Sequence, residues 1–223
     1  MKSVNKLFIL LSALVIFTQC QNSQPEQKYT TKNSEADSVK TEVTIVDSRL
    51  TLEEALRGKD IPDSIRRNLT IVSVTHFGYD NKLHIGQLVC DKSVQVELSS
   101  IFDSLLSIRF PIESVRPISN FGWSDDRSMA NNNTSCFNYR TIAHSSRISQ
   151  HAYGRAIDIN PFQNPYVSTS GNSQPEMASY NPDAKGTITQ SSRVVEIFKH
   201  YGWGWGGNWR GSKDYQHFSK NGR

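Results

Sequence analysis

The sequence predicts an α+β domain with a mainly antiparallel sheet and flanking helices. Two β-rich runs, 69–77 and 82–90, flank the turn-forming Gly78-Tyr79-Asp80-Asn81 and read as a hairpin. Two apolar stripes at helical spacing come later. Val94, Leu98, Ile101, Phe102 and Leu105 lie within 92–108; Val194, Val195, Ile197, Phe198 and Tyr201 lie within 191–201. Between them, 149–158 carries the residues of a tight turn and return strand. Strands and helices that do not alternate strictly suit this class better than a parallel βαβ array.

Along the chain, 1–6 is a short basic start and 7–17 an apolar run too short to span a bilayer as a permanent helix. Residues 1–20 therefore read as an export signal, and Cys20 stands where a lipoprotein signal places its acylated cysteine. Gln19 departs from the small residue expected before that cysteine, so an ordinary signal peptide or uncleaved anchor is the other reading. Residues 21–42 have scarcely any large apolar side chain. They cannot bury enough surface to offset their ordering entropy and read as a disordered tether. The domain is assigned to 43–223. In it, Thr51 with Glu54 is a capping box opening a short helix. The hairpin comes next, then the 92–108 helix and a strand over 111–119. The polar stretch from Ser124 to Ser135 reads as a surface loop, and Cys136-Phe137-Asn138-Tyr139-Arg140 alternates as a strand would. The second helix stops at Gly202.

A net charge of +4 without a clustered basic stripe argues against a nucleic-acid partner and favours, weakly, an anionic wall or membrane surface. Membrane contact is expected only through the N-terminal signal or lipid. After Cys20 only Cys90 and Cys136 remain; they could pair in an exported protein, and neither belongs to a C-x-x-C zinc motif.

Chemistry concentrates in Ser149-Gln150-His151-Ala152-Tyr153-Gly154-Arg155-Ala156-Ile157-Asp158 and in Asp214-Tyr215-Gln216-His217. Two imidazoles and two carboxylates are the set a mononuclear zinc hydrolase needs, three ligands and one base. His151 and Asp158 are seven positions apart, roughly 23 Å in an extended strand, too far to share one ion. Gly154, Ile157, Ile159 and Pro161 disfavour a helix. A strand turning near Tyr153-Gly154-Arg155 and returning through Ala156–Asp158 remains, with Gly154 supplying the backbone freedom.

The pattern resembles the zinc peptidases of the D-alanyl-D-alanine carboxypeptidase group, which includes VanX and VanY and shares a fold with the Hedgehog signalling domain. Their signature, S-x-H-x-x-G-x-A-x-D followed by an acid three positions before a second His, is filled by Ser149, His151, Gly154, Ala156, Asp158, Asp214 and His217. The stretch from Trp205-Gly206-Gly207-Asn208-Trp209 to Phe218 is similar to the L-alanyl-D-glutamate endopeptidase branch. The base position is Glu in VanX-like members and Asp here. The resemblance covers about 110–219.

It implies one zinc ion held by His151, Asp158 and His217, with Asp214 as general base and peptidoglycan stem peptides as substrate. It also implies an Arg near the metal that stabilises the oxyanion, for which Arg140 is the candidate; otherwise Arg140 is a surface or carboxylate-paired residue. Trp203, Trp205 and Trp209 either wall a peptide groove or only pack, and Ser149 either orients a ligand or touches substrate. His76, His84, His144 and His200 read as surface or satisfied core residues. Release of D-alanine and cleavage between L-Ala and D-Glu both remain open, as do other divalent ions. A non-catalytic zinc-containing wall- or partner-binding module of the Hedgehog kind is the alternative. A purely structural zinc would need Asp214 as a fourth ligand. The expected place is the cell envelope.

Overall fold

A computed structural model of the chain describes residues 44–143 and 145–223, all within the unit Thr41–Arg223. The export signal, Cys20 and the tether fall outside the described residues, as does His144.

Strand β1 (Ile45–Val46) is followed by helix α1 (Leu52–Ala55), opened by the expected capping box. The Thr51 hydroxyl accepts from the Glu54 N–H, and the Glu54 carboxylate accepts from the Thr51 N–H. After the short helix α2 (Asp63–Arg66) come strands β2 (Leu69–Phe77) and β3 (Leu83–Asp91), paired antiparallel from Leu69 opposite Asp91 to Phe77 opposite Leu83. β1 lies along the other side of β3 in parallel. A 3-10 turn at Lys92–Val94 leads into helix α3 (Gln95–Ser107), which buries the predicted face, Leu98, Ile101, Phe102 and Leu105, against β2. Each side chain so buried contributes about 1.5–3 kcal/mol relative to exposure.

The strand expected over 111–119 shrinks to β4 (Ser114–Val115). Pro117 has no N–H to offer a ladder, and a 3-10 turn at Ile118–Phe121 follows it. The polar stretch expected to be wholly loop instead contains helix α4 (Asp125–Ala130). Ser124 caps it, its hydroxyl accepting from the Arg127 N–H, and Asp125 and Asp126 place negative charge at its positive end. Strand β5 (Asn133–Thr134) pairs parallel with β4. The alternating segment 136–140 is not a strand; single bonds from Phe137 N–H to Val89 C=O and from Asn138 N–H to His151 C=O hold it beside β3 and the 149–154 turn.

The remaining elements are β6 (Ala156–Asp158), β7 (Tyr166–Val167), β8 (Ser173–Gln174), α5 (Arg193–His200), β9 (Gly204–Trp205), β10 (Lys213–Asp214) and β11 (His217–Ser219). One mainly antiparallel sheet was expected. The described strands instead form four small sheets, ordered β1-β3-β2, β4-β5, β6-β11-β9 and β10-β7-β8, and two of them contain a parallel pair. Mixed α and β structure stands; a single sheet does not, because most strands are only two or three residues long. Phe198 of α5 stacks on Phe218 of β11 at 3.9 Å and meets Trp203 edge-on, joining that helix to the core. Cys90 and Cys136 are buried and free; burial pushes the Cys90 thiol up to about 12. No described helix is long and apolar enough to cross a membrane.

Candidate metal centre and active site

The 149–158 segment enters as a 3-10 turn at Gln150–Tyr153, not as the expected strand. The Ser149 hydroxyl accepts from the His151 N–H and so starts that turn, and Ser149 also lines the cavity described below. Gly154 ends the turn at φ +67°, and a Cβ there would lie 2.6 Å from Asp91 N. Gly154→Ala combines left-handed strain with a backbone collision. It should cost more than about 1 kcal/mol, read as a lowered denaturation midpoint.

β6 then carries Asp158 directly opposite His217 of β11. Three donors converge. His151 Nε2 is 3.2 Å from Asp158 Oδ2 and 3.1 Å from His217 Nδ1, which is 3.1 Å from Asp158 Oδ1. Donors around a tetrahedral zinc with bonds near 2.0–2.1 Å lie about 3.3 Å apart, so this spacing fits one ion. The His151 Nδ1–H donates to the Cys136 carbonyl at 2.6 Å, which turns the Nε2 lone pair toward the other donors. That carbonyl was not legible in the sequence, because the segment 136–140 reaches it without regular structure. All three residues are buried. Burial would raise the Asp158 carboxyl, but the two imidazoles beside it outweigh burial and hold it well below the usual carboxylate range. The group could hold a metal ion.

Asp214 lies on β10 and lines the same cavity as the three donors, without belonging to their group. The residue is half-buried, but its Oδ1 is enclosed and has no hydrogen-bond partner among the described residues. Burial, aided by the charge of Asp158 and opposed by His217, pushes its carboxyl up to about 6. Gly206 makes this position possible, since a Cβ there would sit 2.4 Å from the Asp214 carbonyl oxygen.

The cavity measures about 790 Å³. Arg140 lines it and is paired with Asp125 of α4 at 2.9 Å; its Nε is buried without a partner among the described residues. Asp125 also accepts from Asn138 Nδ2. Asp125 was missed because the polar stretch reads as loop, although Ser124 before two acids is a helix-start signal. Gln216 was missed too: it is buried on the cavity wall, with its Oε1 unpartnered among the described residues. Of the three tryptophans considered for a groove, only Trp209 lines the cavity, its ring 5.3 Å from that of His217. Trp203 and Trp205 are core residues, bonded through their indole N–H groups to Glu97 and to the Tyr215 carbonyl.

Residues 143–220 match the family model described as D-alanyl-D-alanine carboxypeptidase. The match supports the peptidase family that the motif resembles. The carboxypeptidase-like segment contains His151, Asp158, Asp214 and His217, whereas Arg140 and Asp125 lie before it. No curated protein and no solved structure matches the chain.

Proposed function

We propose that the chain is a zinc-dependent peptidase acting on peptidoglycan stem peptides, exported by residues 1–20 to the cell envelope, either periplasmic or tethered to the membrane through Cys20. One observation carries the reading: three buried donors with zinc-like spacing share a cavity with a carboxylate that stays outside their group. A structural zinc closes its coordination with four protein ligands, whereas three ligands and a neighbouring acid suit a catalytic one. When bound, zinc supplies an acidified water and a Lewis-acid contact for the scissile carbonyl.

The protein's own groups do the rest. Asp214 takes the proton of the attacking water and passes it to the leaving amine, a task for a carboxyl that lines the cavity but lies outside the donor group. Arg140, held by Asp125 on the cavity lining, supplies positive charge for the negative charge that develops on the carbonyl oxygen. His151, Asp158 and His217 hold the ion, with the His151 tautomer set by the Cys136 carbonyl. Trp209 walls one side, and the segments bearing Ile148, Tyr166 and Asn172 form the rim against which a peptide would lie.

Incubating the zinc-loaded protein with purified muropeptides and reading the products by mass spectrometry tests the proposal. Loss of D-alanine marks a carboxypeptidase, and cleavage between L-Ala and D-Glu an endopeptidase. Intact muropeptides, with zinc present and the fold verified, would leave the non-catalytic binding module.

A further inference from the structure

Two of the four histidines read from the sequence as surface or satisfied core residues meet in a second cluster, away from the cavity. His76 of β2 stands directly opposite His84 of β3, so both rings emerge on one face of the sheet, stacked at 5.1 Å. Asp47, just after β1, reaches between them. Its Oδ2 is 2.9 Å from His76 Nε2, and its Oδ1 is 2.9 Å from His84 Nδ1. The three donor atoms lie within 4.8 Å of one another. His76 is wholly buried, and the Asp47 side chain is 3% exposed.

We propose that Asp47, His76 and His84 form a second divalent-cation site, structural in role and suited to zinc. Charge is the first argument. Among the described residues no Lys or Arg pairs with Asp47, and a buried carboxylate needs a positive partner. A divalent ion supplies it while both imidazoles stay neutral.

The outer contacts are the second argument. Ligating histidines commonly donate their other ring N–H to a carboxylate, and His84 Nε2 is 3.2 Å from Asp80 Oδ1. Ligating carboxylates are themselves hydrogen-bonded, and the Val115 N–H donates to Asp47 Oδ2 at 2.8 Å. A carboxylate chelating through both oxygens, with one imidazole on each flank, places each nitrogen near one oxygen, as observed. An ion there would clip β1 to the β2–β3 hairpin, and Asp47's bond to Val115 extends the clip to β4. β1 is only two residues long and gains most from such a clip.

The test is zinc stoichiometry of the full chain, stripped with chelator, titrated with zinc near neutral pH and weighed by native mass spectrometry. Wild type should hold two zinc ions, Asp47→Asn one, His217→Ala one, and the double variant none. Binding at this site should also raise the unfolding midpoint of wild type above that of zinc-loaded Asp47→Asn, whose muropeptide activity should persist. His84→Gln, at the edge of the cluster, repeats the test should Asp47→Asn fail to fold. A single zinc in wild type that persists in both Asp47→Asn and His84→Gln, or two zinc ions in both of those variants, overturns the proposal and leaves a network closed by protons. One zinc in both wild type and His217→Ala with none in Asp47→Asn would keep this site and sink the catalytic one, so the two readings fail separately.

Discussion

Asp214→Ala should keep the metal of the His151–Asp158–His217 group and lose hydrolysis by a factor of about 10²–10⁴, the usual contribution of a positioned acid–base group. The metal should stay because Asp214 is outside the donor group, and removing it leaves all three short donor distances in place. Turnover should fall because Asp214 lines the cavity shared with the three donors and is the carboxylate there that lies outside their group. Zinc content by mass spectrometry and kcat/KM on muropeptides read the two effects apart. In wild type, the working base is the deprotonated carboxyl, so kcat/KM should climb as pH rises through the carboxyl's titration. Burial sets that titration at about 6 in the metal-free site, and a nearby cation would draw it down, so the acid limb should lie at or below about 6. Equal muropeptide turnover in wild type and Asp214→Ala would remove Asp214 from the chemistry.

His151→Ala should behave differently, losing both the ion at this site and the activity. Changing only the outer partner of a ligating histidine costs about 10–100-fold in metal affinity, and removing the ligand itself should cost more. The variant also leaves the Cys136 carbonyl without its donor inside the core, a further destabilising contribution of about 1–3 kcal/mol. Zinc titration followed by thermal unfolding in chelator separates these effects: the affinity loss needs the ion, whereas the stability loss persists without it. Undiminished zinc affinity in His151→Ala would remove it from the ligand set.

The contrast between these residues and Arg140 shows where sequence reasoning reaches. His151, Asp158 and His217 were legible because they fill a two-part motif resembling that of the carboxypeptidase group, and their donors do converge. The hairpin at 69–91 and the face of α3 were legible because long periodic segments carry their own signal. The Asp125–Arg140 pair was not, since it joins a six-residue helix to an irregular segment and neither has a repeat to read. The same holds for the Cys136 carbonyl, a backbone atom that no residue type announces. Asp47 escaped notice for another reason: its partners lie 29 and 37 positions away, and their meeting depends on β1 adding to β3 in parallel, which two residues cannot signal.

His217 faces Asp158 across a strand pair only three residues long, while His151 lies 66 positions upstream of His217. Side chains alternate along a strand, so sliding β11 by one residue would turn His217 away and present a neighbour in its place. Burial of Phe218 against Phe198 already disfavours the slipped alignment. An ion held by the three donors would act as a second proofreader during folding, adding its reward to the alignment in which His217 faces Asp158 and giving nothing to the slipped one.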